Sequence, residues 1–203
     1  MKSFTRSITL FLALAVAALA ADIKVGTLNC LLLFDPKIEH RGKVDNEQQM
    51  TVEQYQQKLV NLTTLMRGYE VVGLQETGGR AEIAALAKMA GMSWAWEQGK
   101  DTATGEEVGL LYHLPGWTVS SKGRVAELDR LVSKHLLVEA KKGTHRVLFL
   151  VVHLLRPMGT QVEKHKQQLA GIGAWMTQQT TADPKAAVVV LGDTNSTLTE
   201  IGA

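Results

Sequence analysis

Apolar and polar positions recur along this chain with two different periods, and the switches between them mark its elements. Ile8 to Leu19 is an almost unbroken apolar run behind Lys2 and Arg6. Ile23 to Leu28 is a short β-branched stretch that ends at Asn29, which predicts a strand. The polar segment from Asp35 to Met50 reads as a long loop, a length usual for functional loops. Thr51 and Gln54 have the spacing of a capping box, and Tyr55, Leu59, Leu62 and Met66 follow at helical spacing up to Gly68. Glu70 to Gln75 is a mostly apolar strand that stops at Glu76. Ile83, Leu86, Ala87 and Ala90 mark a second helix, with Gly91 as its stop.

From there the period shortens. Ser93–Glu97, Val108–Tyr112, Trp117–Ser120, Lys134–Ala140 and Val147–His153 all read as strands, in a run of hairpins and not a βαβ series. Trp94 and Trp96 alternate along one strand, so they share a face that reads as core. A third helix is expected over residues 161–179, with Val162, Leu169, Ile172 and Met176 on one face, and Ala186–Leu191 reads as a buried strand. Two packed sheets flanked by helices fit this order better than a doubly wound parallel sheet.

Composition changes the picture at the N-terminus. Residues 1–20 combine a positive start, an apolar centre and the small-x-small sequence Ala18-Leu19-Ala20, the features of a cleaved secretory leader. The apolar run is shorter than the roughly 20 residues that cross a bilayer, so no stable membrane anchor is expected. The expectation is an exported protein, periplasmic or extracellular. The whole chain carries 22 Lys and Arg against 20 Asp and Glu. Lys2 and Arg6 leave with the leader, which holds no acidic residue, so the mature chain has no net charge and its overall charge is poor evidence for a nucleic-acid partner. Residues 21–203 fit one domain, able to bury about 70% of its unfolded surface without disulfides. The single cysteine, Cys30, reads as a buried thiol. With 45% apolar residues, 21% charged and only 4 prolines, disordered, collagen-like and coiled-coil chains are excluded.

Candidate chemistry gathers at strand ends, where apolar strands pin a polar terminus. The first strand delivers Asn29, the second Gln75-Glu76, a later one His153, and the last Gly192-Asp193-Thr194-Asn195. Glu106 and Glu107 precede a strand and are possible acidic partners of His153, although a solvated turn is the preferred reading. Lys134 reads as a surface strand residue, and Lys141-Lys142 with His145-Arg146 as a solvated hairpin. His40, His113, His135, His145 and His165 show no metal-ligand spacing.

In order and context, Thr27-Leu28-Asn29, Leu74-Gln75-Glu76, Val152-His153-Leu154 and Leu191-Gly192-Asp193-Thr194-Asn195 resemble the endonuclease/exonuclease/phosphatase (DNase I-like) superfamily. The resemblance implies an α+β fold: a four-layer αββα sandwich of two mixed, largely antiparallel sheets. It also implies a metal-dependent phosphoester hydrolase of phosphodiesterase or nuclease type. Glu76 would be the main ligand of a hard divalent cation, with Asn29 assisting through its side-chain oxygen; Mg²⁺ fits such a site, as do Mn²⁺ and Ca²⁺. Asp193 would orient or deprotonate the attacking water, Asn195 would donate to a phosphate oxygen, and His153 would bind the phosphate or protonate the leaving group. Lys134 falls near the position of a phosphate-contacting arginine in the superfamily.

Superfamily members continue past the Gly-Asp-x-Asn box to further strands and a closing Ser-Asp-His motif. Only eight residues follow Asn195 here, and none is Asp or His. The expectation is therefore a domain incomplete at its C-terminus, and the alternative to an enzyme is a truncated, non-catalytic phosphate-binding remnant. The expected partner is a phosphoester, whether nucleic acid, phospholipid or a small compound, and the expected state is a monomer. The apolar Leu31–Phe34 run is compatible with lipid contact and equally with core burial.

Overall fold

The computed structural model describes residues 23–39, 50–100 and 104–196. The leader expected over residues 1–20 and most of the loop that holds His40 lie outside these. In chain order the elements are β1 (Val25–Leu33), α1 (Val52–Leu65), β2 (Val71–Thr77), α2 (Arg80–Ala90), β3 (Ser93–Trp96), β4 (Glu107–Tyr112), β5 (Thr118–Gly123), β6 (Lys134–Lys142), β7 (His145–His153), α3 (Val162–Ala182) and β8 (Ala186–Asp193). None of the described helices is long and apolar enough to cross a membrane.

The helix signals act as their chemistry requires. Thr51 accepts from the Gln54 backbone N–H at 3.2 Å while the Gln54 side chain accepts from the Thr51 N–H at 2.8 Å, closing the capping box of α1. Gly91 ends α2 in the left-handed conformation. In α3 Ile172, with Leu169 and Met176, packs inward as the sequence predicts, Val162 is exposed, and the buried face also takes in His165, Gln168 and Trp175. The polar pair His165 and Gln168 binds loop backbone, so it can be buried without an unpaired-group penalty.

The strands form two four-stranded sheets, ordered β1-β2-β4-β3 and β5-β6-β7-β8. Each has one parallel pair, β1 with β2 and β7 with β8, and two antiparallel pairs. The expected run of hairpins is thus interrupted once, where the chain leaves β4 in the first sheet to enter β5 in the second. Strand alternation distributes side chains between three apolar layers. Leu74 and Val72 join Tyr55, Leu59, Ile83 and Leu86 beneath α1 and α2. Val71, Leu110, Val138, Phe149, Val151 and Leu191 fill the space between the sheets. Leu150 and Val152 pack with Ile172 and Trp175 of α3. This is the expected αββα sandwich. Trp94 and Trp96 do share a face, but both are only partly buried against the α1–α2 layer. Among the described residues β8 is an edge strand, and Val188 to Val190 are only partly buried, less than the sequence predicts.

Two glycines stand where no side chain fits, one between the sheets and one between neighbouring strands of the second sheet. A Cβ on Gly73 of β2 would lie 2.8 Å from the Leu191 Cβ of β8, so the absence of a side chain brings these strands close. A Cβ on Gly192 would lie 2.0 Å from the Val152 carbonyl oxygen, a distance no side chain tolerates. Gly192→Ala is accordingly expected to cost about 3 kcal/mol or more, seen as a lowered urea midpoint or failure to fold.

At the opposite end of the second sheet, Glu139 is buried in an ion-pair cluster with Arg146 at 2.6 Å, Lys141 at 3.0 Å and Lys122 at 3.1 Å. Burial alone would push its carboxyl up, but hydrogen bonds from these three cations outweigh it and hold the group down at about 2. The folded value lies below the unfolded one, so this stabilisation is present above the ordinary carboxylate value of 4.5 and is lost as pH falls toward 2. Glu139→Gln is expected to destabilise the fold by on the order of 2 kcal/mol at pH 7, with the difference from the parent shrinking to nothing near pH 2 in denaturant melts.

Candidate active site

The register of the sheets assembles the site. In the second sheet His153 of β7 lies opposite Asp193 of β8 and, on its other side, opposite Lys134 of β6. The parity of Val147, Phe149 and Val151 turns His153 toward the first sheet, as that of Leu191 turns Asp193. In the first sheet Asn29 of β1 pairs with Gln75 of β2. Glu76 is the exception: the parity of Val72 and Leu74 would place it on the helix side. Instead Glu76 takes a left-handed backbone, φ 55°, and its carboxylate meets Asn29.

The result is a cross-sheet cluster. Asn29 Nδ2 donates to Glu76 Oε1 at 2.8 Å and to Asp193 Oδ2 at 2.9 Å, so one amide bridges carboxylates from both sheets. Asn29 Oδ1 accepts from the Leu31 N–H at 2.8 Å. One ligand atom each from Glu76, His153 and Asp193 lies within 4.8 Å of the others. His153 Nε2 is 3.9 Å from Glu76 Oε1, and His153 Nδ1 is 3.9 Å from Glu106 Oε2. That Nδ1 is buried without a hydrogen-bond partner. Burial holds the imidazole below its ordinary range, helped by the Lys134 charge and opposed by Glu106, Glu76 and Asp193. Two carboxylates and an imidazole converging at this spacing fit a divalent cation.

Asn195 has a left-handed backbone, φ 52°, its N–H bound to Asp193 Oδ1 at 2.9 Å and its Nδ2 to the Leu154 carbonyl at 2.7 Å. The loop is anchored from below by His165, whose Nε2 lies 2.7 Å from the Thr194 carbonyl. His135, fully buried, accepts from the Val125 N–H at 2.8 Å and serves structure instead of chemistry.

A cleft of about 720 Å³ opens over the cluster, lined by Glu76, His153 and Asn195 on its polar floor. Two sequence readings are corrected here. Lys134 is not a surface residue: it is buried, and its Nζ donates to Glu106 Oε2 at 2.7 Å and Thr104 Oγ1 at 3.0 Å. Glu106 and Glu107 are not a solvated turn, since Glu106 faces His153 in the cleft and Glu107 is buried, accepting from the Gly99 N–H at 2.7 Å. Lys58 and Arg156 also line the cleft and were not singled out in the sequence, where nothing distinguishes them from other cations on helix and loop. Cys30 is fully buried as expected, its thiol pushed up to about 12 by burial. The Leu31–Phe34 run divides: Leu33 and Phe34 are core, whereas Leu31 is exposed at the cleft.

No protein-family model matches the sequence, and no curated protein matches it. Solved structures do match the fold. Truncated TDP2 from Caenorhabditis elegans aligns with TM-score 0.56 and 16% identity over 70% of this chain and 56% of its own. A mannosyl-6-phosphatase from Bacteroides thetaiotaomicron aligns with TM-score 0.57 and 13% identity over 79% of this chain and 64% of its own. An endonuclease/exonuclease/phosphatase family protein from the same organism aligns with TM-score 0.56 and 11% identity over 79% and 61%. The chain thus spans less than two thirds of the length of these neighbours. Its two mixed sheets, their flanking helices and these alignments give the chain the endonuclease/exonuclease/phosphatase fold.

Proposed function

We propose that this chain is an exported, divalent-metal-dependent phosphoester hydrolase of phosphodiesterase type. One observation carries the reading: Glu76 from one sheet and His153 and Asp193 from the other converge within 4.8 Å, and Glu76 and His153 of this cluster line a cleft. One structural neighbour is a mannosyl-6-phosphatase, which supports a phosphoester as substrate. Glu76 and Asp193 would hold the cation, with Mg²⁺ the first choice for oxygen donors. When bound, the cation supplies Lewis-acid polarisation of the phosphoryl oxygen and offsets developing charge.

The remaining steps belong to the chain's own residues. Asn29 holds the two carboxylates at a fixed separation through its bridging amide. Its oxygen is turned to Leu31, so we assign it positioning of the ligands in place of direct coordination. Arg156 supplies positive charge at the cleft wall for the incoming phosphate. Asp193 orients the attacking water and takes its proton as the water's oxygen bonds to phosphorus, while His153 hydrogen-bonds the phosphate and passes a proton to the leaving oxygen as its bond to phosphorus breaks. Glu106, itself clamped by Lys134, faces the far nitrogen and favours that proton. The second amide hydrogen of Asn195 points the phosphate toward this floor. The leader over residues 1–20 would deliver the protein outside the cytoplasm.

Hydrolysis of a chromogenic phosphodiester is expected to need a divalent cation and to stop with chelator. Glu76→Gln or Asp193→Asn is expected to lower kcat by about 10² to 10⁴-fold; undiminished hydrolysis in either variant would falsify the reading. Independently of turnover, Mn²⁺ at about 100 times its Kd is expected to stabilise the parent by about 2.7 kcal/mol in thermal melts, and neither variant by as much. N-terminal sequencing of the exported product is expected to begin at Ala21.

A further inference from the structure

All four non-glycine residues with positive φ among the described residues, Leu31, Leu32, Glu76 and Asn195, line the cleft. Asparagine tolerates that backbone, and the Glu76 side chain is at once part of the cluster. Leu31 and Leu32 are different: they are branched, consecutive, at φ 51° and 62°, and touch none of the reacting groups. A conformation that costs about 1–3 kcal/mol per residue persists only where surroundings over-determine it.

The surroundings are specific. The β1–β2 register jumps from Asn29↔Gln75 to Leu33↔Thr77, so residues 30–32 bulge out of the ladder. The bulge withdraws the Leu31 and Leu32 carbonyls from β2. Lys58 of α1 supplies both: its Nζ donates to Leu31 O and, at 3.4 Å, to Leu32 O. Lys58 is carried on a helix whose start is fixed by the Thr51–Gln54 capping box and whose face is packed through Tyr55, Leu59 and Leu62. On the other side of the bulge, the Leu31 N–H donates to Asn29 Oδ1. That bond leaves Nδ2 as the end of the amide that faces Glu76 and Asp193. The lysine is half-buried, and burial holds its ammonium below the ordinary lysine range.

We propose that Lys58 is a positioning residue of this site: by capping the Leu31 and Leu32 carbonyls it keeps the bulge left-handed, and the bulge in turn aims the Asn29 amide at the two carboxylates. Its consequence for rate rests on the phosphoesterase reading; its consequence for Asn29 does not.

The test uses the full chain with Lys58→Met, which keeps length but no donor, and Lys58→Arg, which keeps the donor. The side-chain amide of Asn29, assigned by its loss in Asn29→Asp, is followed by ¹H–¹⁵N NMR. In the parent this pair is expected to be displaced from free-amide positions and slow to exchange. Lys58→Met is expected to return it to free-amide positions and Lys58→Arg to leave it near the parent. Adding Leu32→Gly to Lys58→Met relieves the left-handed cost and is expected to restore the signal in part. An unmoved Asn29 amide in a folded Lys58→Met protein overturns the proposal, as does an equal change in Lys58→Arg. If Lys58→Met does not fold, Lys58→Gln is read by the same signal and decides in the same way. On a chromogenic phosphodiester, Lys58→Met is expected to lower kcat about 10-fold with KM little changed. In an Asn29→Ala background it is expected to add less than twofold, since both act through one amide. Additive losses sink the route through Asn29. A parent without phosphoesterase activity removes the proposed function while the NMR result still decides the role of Lys58.

Discussion

The site depends on two sheets approaching each other closely along β2 and β8. Each sheet brings half of a cluster that neither could form alone: Asn29 and Glu76 from the first, His153 and Asp193 from the second. Gly73 permits the approach, because any side chain there would collide with Leu191. The apolar layer that includes Val151, Leu191 and Val71 fixes the spacing, and protein interiors hold such spacing tightly because they are close-packed. Catalytic geometry here is therefore a by-product of core packing, transmitted a residue or two beyond Val151 and Leu191 to the strand ends.

Electrostatics then set what the cluster can do. Two carboxylates and Glu106 bring negative charge to a floor that also buries an imidazole. Three devices offset the repulsion: the bridging Asn29 amide, the Lys134–Glu106 contact, and the cations Lys58 and Arg156 on the cleft wall. The backbone strain at Leu31, Leu32, Glu76 and Asn195 is confined to the same region. Local rules of propensity fail at this one place and hold almost everywhere else, which is the expected signature of a functional site.

Much of this was legible in the sequence. The capping box at Thr51, the Gly91 stop and the polar strand ends at Glu76, His153 and Asp193 are local signals that lie where the residue pattern puts them, whereas Asn29 does not end its strand, since β1 runs on to Leu33. Lys134 and Glu106 were not. Each reads as an ordinary surface charge because nothing local marks it as buried; Lys134 is buried only because β6 pairs with β7 in a register that sets it beside His153. The buried face of α3 extends beyond its predicted apolar residues for a related reason. His165 and Gln168 look like solvent residues until the loop carbonyls they bind are seen to lie beneath them.

The sequence by itself determined the elements and two sheets flanked by helices, because periodicity and capping are local properties; the αββα class and the roles toward a phosphoester and a hard cation were implied by the superfamily resemblance of its strand-end motifs. It could not determine that Glu76 leaves the parity of its own strand, that Asn29 presents its nitrogen and not its oxygen to the carboxylates, or that Lys58 secures the bulge behind it. Those were decided by tertiary structure alone. They depend on which backbone groups are left unpaired when two separate sheets are packed together, and no stretch of sequence contains that information.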